Sequence, residues 1–184
     1  MDTGKQASTA VKAKPTARTA GTDAIKLLTA DHKKVKTLFK AIEKAKKAED
    51  HELKASLAKQ VCNELTVHAQ VEEEIFYPAV RDAINDDDMM NEAEVEHASA
   101  KGLIAQISSM DNQDPMFDAK LKVLADYIDH HVQEEEEEMF AKATKANVDL
   151  KELGGEMRAR KAELTEELGM DTEPPAPAKR ATKK

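Results

Sequence analysis

Between residues 23 and 145 the apolar residues return every three or four positions in four long stretches, with short polar breaks between them and no alternating, strand-like run. The first stretch spans 23–47, after Thr22 as a helix cap, with Ile25, Leu28, Val35, Phe39 and Ile42 on one face. The second spans 51–83 with Leu53, Leu57, Val61, Leu65, Ile75 and Phe76, and "NDDDMMN" ends it. The third, over 90–110, carries Ala93, Ala100, Ile104 and Ile107. "DNQDP" then combines a turn with a new start, Asp114 as cap and Pro115 as first helical residue, and the fourth stretch runs to Ala143 through Phe117, Leu121, Leu124, Ile128 and Met139. Short connections make sequential helices antiparallel, so the expected fold is all-α, an up-down-up-down four-helix bundle over 23–145. "KELGGEMRARKAELTEELG" predicts a further C-terminal helix within 146–170, interrupted or started at Gly154–Gly155, that packs across the bundle or against a second copy.

Composition supports this reading and narrows the setting. Aromatic residues make up only 3% and Trp is absent, so a large aromatic core is excluded. One Cys cannot form an internal disulfide. No apolar run approaches the roughly 18 residues of a membrane span, and no apolar signal segment is read at the start, so a soluble cytoplasmic monomer or dimer is expected. Residues 1–22 carry four Lys/Arg against one Asp, and 174–184 carry four against none, so the middle is more acidic than the net charge of −8. Both tails, 1–22 and 171–184, are read as disordered basic segments able to touch nucleic acid through charge or simply to keep the chain soluble.

The histidines divide by direction. At about 100° per residue, His131 and Glu135 each fall about 20° from Leu124, whereas His130 falls about 180° from Leu121 and faces water. His68 and Glu72 lie about 20° either side of Val61. His32 sits between Leu28 and Val35, and His97 shares a face with Met90, Ala93 and Ile104. Each long helix thus points one histidine inward, and the second and fourth add a glutamate one turn on. His51 is read as surface, Cys62 as a half-exposed thiol, and Met89 and Met90 as gap-filling residues.

Taken singly, an inward histidine is more often a hydrogen-bonded core residue than a ligand. Four of them with two carboxylates are different, because burying such groups unpaired costs several kcal/mol each and a cation removes the conflict. Imidazole and carboxylate without thiolate suit iron or manganese, with zinc also accepted by imidazole. The set His32, His68, Glu72, His97, His131 and Glu135 can hold two ions with the glutamates bridging. A ferritin-like site needs two Glu-x-x-His motifs, and only Glu94–His97 is found.

The segments "DHKKV", "HAQVEEEIFYPAV", "EVEHASA" and "HHVQEEEEEMFAKA" resemble, in that order, the hemerythrin HHE cation-binding family. "VDLKELGGEMRARKAEL" is similar to the segment beyond the domain in bacterial single-domain members. The resemblance implies a four-helix bundle with a non-haem diiron centre whose ligands are His32, His68, Glu72, His97, His131 and Glu135. It implies work on O2, peroxide or NO by binding, sensing or slow redox turnover, including peroxide decomposition or NO reduction. Oxygen-carrying relatives have a fifth histidine four residues beyond the third-helix one, where this chain has Lys101; Glu94, Glu64 and Glu138 are candidates to complete the centre. Tyr127, one turn before His131, is the candidate donor to a bound oxygen species, or a plain core tyrosine. Iron buffering or storage, and a metal-stabilised helical interaction module with nucleic-acid-contacting tails, are the alternatives.

Overall fold

A computed structural model describes residues 23–170, and every regular element in that range is helical. Helix α1 is Ala24–Lys47 and α2 is His51–Val71; a π turn, Glu72–Phe76, joins α2 without a break to α3, Tyr77–Ile84. Helix α4 is Asp87–Ser109 and α5 is Phe117–Glu134, which a second π turn, Glu135–Met139, joins to α6, Phe140–Lys145. Helix α7 is Leu150–Glu167. The rods α1, α2–α3, α4 and α5–α6 form the four-helix bundle, with α7 packed on α1, α2 and the first π turn.

Aspartates set the starts. Asp23, Asp50, Asp86 and Asp149 each accept a hydrogen bond from the backbone N–H three residues on, at 2.9, 3.0, 3.3 and 3.0 Å, satisfying a donor the helix leaves open. Asp23 itself therefore caps α1, in place of Thr22. Asn85 (φ 52°) takes the left-handed conformation that ends α3. The fourth rod begins later than its sequence signal: Pro115 and Met116 form a turn held by Asp114, which accepts from Met116 N–H at 2.7 Å, and the helix starts at Phe117.

The two π turns have no signature in the apolar periodicity, yet each begins at an inward glutamate, Glu72 or Glu135. Their wider i→i+5 bonding takes up one extra residue and re-aims everything beyond it. In a straight α-helix Tyr77 would lie about 140° from Glu72. The turn instead buries both Phe76 and Tyr77.

Packing falls into two apolar clusters. One, at the α1–α2 turn end, contains Leu38, Ile42, Val61, Leu65, Ile104 and Leu124. The other, at the opposite end, contains Leu28, Val71, Phe76, Val80, Met90 and Met157. His32, His68, His97 and His131, with Glu72 and Glu135, fill the layer between them and are all buried. Cys62 belongs to the first cluster and is buried, not half-exposed, because α2 packs on α4 as well as on α1, with Ser108 of α4 beside the thiol, and so needs a wider apolar face than a one-neighbour helix. Burial pushes its thiol up to about 11.

Helix α7 runs unbroken through Gly154–Gly155 and docks on its own bundle by burying Met157 and Leu164. Arg160 pairs with Glu74 at 2.7 Å, and Lys161 pairs with Asp31. Among the described residues no helix is long and apolar enough to cross a membrane. The basic tails lie outside the described residues.

A Cβ on Gly155 would meet nothing within 4 Å. Glycine in a helix interior costs about 0.5–1 kcal/mol relative to alanine. Gly155→Ala should therefore stabilise the fold by about that amount, seen as a higher urea midpoint at unchanged slope.

Candidate metal centre

The site is a box closed by four imidazoles and two carboxylates. From the first two rods come His32, His68 and Glu72; with Glu135 of the second π turn, their donor atoms lie within 4.8 Å of one another. Glu72 belongs equally to a second group with His97 and His131. Glu72 Oε2 stands 3.1 Å from His68 Nε2 and 3.5 Å from His97 Nε2. Glu135 Oε2 stands 3.4 Å from His32 Nε2 and 3.7 Å from His131 Nε2. Each carboxylate thus spans from one half of the box to the other, and all six residues named from sequence converge.

All four rings turn Nε2 inward because a carboxylate waits at each Nδ1. His32 Nδ1 reaches Glu136 at 2.9 Å, His97 Nδ1 reaches Glu73 at 2.9 Å, and His131 Nδ1 reaches Glu96 at 2.7 Å. His68 Nδ1 faces Asp31 at a longer 3.6 Å. A proton held on Nδ1 leaves the Nε2 lone pair pointing into the box. The four carboxylates form a ring: Asp31 of α1 serves the α2 histidine, Glu73 beyond α2 serves α4, Glu96 of α4 serves α5, and Glu136 beyond α5 serves α1.

Asp31, Glu73, Glu96 and Glu136 do not stand out in the sequence as site residues, although each is the immediate neighbour of an inward ligand. The helical wheel places such a neighbour about 100° round, on the flank. That flank faces the next rod. Lys101, at the position of the family's fifth histidine, pairs with Glu73 and so braces the carboxylate that orients His97.

None of the three candidate completing glutamates touches the box. Glu64 pairs with Lys34 at 2.5 Å, Glu94 pairs with Arg81 at 2.7 Å, and Glu138 is exposed beside Lys142. The hydroxyl inside the site is that of Tyr77, delivered by the π turn: it donates to Glu135 Oε1 at 2.9 Å and lies 2.9 Å from His97 Nε2. Tyr127 is half-buried and packs against the turn-end cluster instead.

The donors fit a cation. Both oxygens of Glu72, together with His32 Nε2 and Glu135 Oε2, point into the box and are buried without a hydrogen-bond partner. Glu72 is wholly buried. The inward nitrogens of His97 and His131 face each other at 3.1 Å. Donor gaps of 3.1–3.7 Å are those of neighbouring ligands on one ion, since bonds of about 2.1 Å at right angles set ligands about 3 Å apart. Without a cation, protons must do its work. Burial, then the charges of Glu135 and Asp31, push the Glu72 carboxyl well above the usual carboxylate range. Against the same burial, nearby His32 and the charge of His131 hold Glu135 down at about 2. His32 and His131 are raised despite burial, chiefly by Glu135 and Glu136 for the first and by Glu96 and Glu135 for the second. Burial drives His97 down to about 4.

Residues 23–143 match the hemerythrin HHE cation binding domain, and the chain belongs to that family. It is 31% identical over 142 residues to a DNA nickase of Nostoc sp. (strain PCC 7120), a match covering 76% of this chain and 39% of that protein. The chain thus spans about two fifths of the length of that curated relative. The crystal structure of a hemerythrin HHE cation binding domain-containing protein from Mycobacterium kansasii superposes with a TM-score of 0.68 at 21% identity, covering 79% of this chain and 89% of that one. The last comparison establishes the shared fold.

Because His32, His131 and Glu72 are raised, each keeps its proton to a higher pH than a free group would, and a cation must displace it. Metal affinity should therefore fall as pH is lowered through their titration. Removing an outer carboxylate by Glu96→Gln should lower affinity about 10–100-fold in a chelator competition, whereas Glu137→Gln at the exposed surface should leave it unchanged.

Proposed function

We infer that this chain is a hemerythrin-like non-haem diiron protein that binds, senses or slowly turns over O2, peroxide or NO. The observation that carries the reading is the Glu72 carboxylate, wholly buried with neither oxygen hydrogen-bonded, in the midst of four inward imidazole nitrogens. Carboxylate and imidazole without thiolate suit iron first, with manganese or zinc as lesser fits. His32 and His68 would hold one ion, His97 and His131 the other, and Glu72 and Glu135 would reach both. When bound, the irons supply redox capacity and Lewis acidity to a small ligand.

The remaining work falls to this chain's own side chains. The outer carboxylates fix the direction of each imidazole. Phe140 stacks on the His32 ring at 6.0 Å and meets Phe76 edge-on at 5.7 Å, which keeps that end of the box dry. Tyr77 keeps a hydroxyl proton on the Glu135 side, available to a ligand oxygen. Its phenol is held well above its ordinary range by burial and by the Glu135 and Glu72 charges, so that proton stays in place at neutral pH. The lone cysteine accords with a cytoplasmic setting.

Anaerobic loading with ferrous iron followed by air should give about two irons per chain, a diferric charge-transfer absorption and a coupled diferric Mössbauer spectrum. Fewer than two irons per chain would overturn the reading. Changes in that spectrum with peroxide or NO separate ligand handling from iron buffering, which predicts release to chelators and no effect on peroxide decay.

A second reading draws on the Nostoc relative, described as a DNA nickase. A dinuclear His/Glu centre suits water activation at a phosphodiester, and the basic tails suit attraction to DNA. On that reading the metal-loaded chain converts supercoiled plasmid to open circles, with salt-sensitive binding lost when both tails are removed. Plasmid left supercoiled at low salt removes it.

A further inference from the structure

Outside the box, a second group of metal-capable side chains lies at the seam of α4 and α5. Glu96, His130 and Glu134 place one donor atom each within 4.8 Å of one another. His130 Nε2 is 3.3 Å from Glu134 Oε1 and 3.9 Å from Glu96 Oε1. The His130 side chain is 61% exposed, so a hydrated ion reaches it directly. Glu96 faces both ways: its Oε1 turns toward this outer group while its Oε2 accepts from His131 Nδ1 of the inner box.

Glu96 and Glu134 also line a cavity of about 230 Å³ that has Glu92 and Glu138 on its wall and His131 and Glu135 at its inner side. Glu135 is buried, and its Oε2, without a hydrogen-bond partner, lies in the box 3.4 Å from His32 Nε2 and 3.7 Å from His131 Nε2. The one basic residue on this wall, Lys142, is engaged by Asp86 at 2.8 Å. A different groove, between α1 and α5, also reaches His32, but five lysines, among them Lys33, Lys36 and Lys40, line it alongside four carboxylates, Glu43, Asp126, Asp129 and Glu136. Charge therefore favours one approach: six carboxylates against one lysine draw a cation into the α4–α5 cavity, whereas lysines and carboxylates nearly balance in the α1–α5 groove.

We propose that Glu96, His130 and Glu134 form an outer, exchangeable divalent-cation site that captures ferrous iron and loads the inner box through the acidic cavity. Two carboxylates and one imidazole make a weak three-point chelate, which suits transfer rather than storage. At its inner side the cavity reaches two ligands of the box, His131 and Glu135. Glu96 links the stages, since one of its oxygens holds the arriving ion while the other keeps His131 aimed. The function of this outer site rests on the inner box being the metal centre inferred above.

The test uses the full-length chain stripped of metal. Anaerobic ferrous uptake, followed by chelator quench at successive times, should be about tenfold slower in a His130→Ala/Glu134→Gln double variant, with the same final iron count. A Lys36→Ala/Lys40→Ala variant in the other groove should load as fast as the parent. Electron paramagnetic resonance titration with Mn2+ alone reads the outer site independently of iron chemistry: the parent should bind one more Mn2+ ion, weakly, than the double variant. Equal uptake rates, or equal Mn2+ counts, would overturn the proposal. A parent that shows the extra Mn2+ ion yet takes up no iron pair would sink the diiron reading while leaving the outer site standing. Loading altered only by the lysine variant would assign the route to the α1–α5 groove and refute this one.

Discussion

A carboxyl group with both oxygens buried and unpaired is among the most costly groups a bundle can contain, and the organisation of this protein follows from placing Glu72 there. The apolar core is split in two so that a polar layer can run across the bundle at one level. Four helices each give that layer a histidine. The π turns start at the two inward glutamates and rotate the chain beyond them, so the same rods that supply ligands also supply Phe76, Tyr77, Met139 and Phe140 as walls. A cation in the box turns the least favourable feature of the core into the interaction that unites the rods.

The inner set was legible because it obeys the period that builds the fold. His32, His68, His97 and His131 occupy positions where an apolar residue belongs, and a polar residue on an apolar stripe is visible without coordinates. The supporting residues did not stand out because they break that logic. Asp31, Glu73, Glu96 and Glu136 sit one residue away from the stripe, among many other acidic residues, and only the neighbouring rod gives them meaning. Tyr77 was hidden for a different reason. Uniform helical turning points it away from Glu72, and nothing in the spacing announces the extra residue of the π turn.

The same difference explains the smaller departures. A wheel with one buried face leaves Cys62 half-exposed, whereas α2 at this level packs on both α1 and α4. The start at Asp114–Pro115 reads as a helix cap, but the turn uses those residues for itself and releases the helix only at Phe117. Helix α7 extends straight through its paired glycines because docking through Met157 and Leu164 outweighs their weak propensity.

The ring of outer carboxylates ties the rods to one another in a closed loop, each orienting a partner's imidazole and having its own imidazole oriented in return. A helix that slid by one residue along its axis would misplace two of these links at once, the one it gives and the one it receives. The loop therefore acts as a mutual alignment gauge, in which the fourth rod checks the first, and correct assembly of the pocket certifies the stagger of the entire bundle.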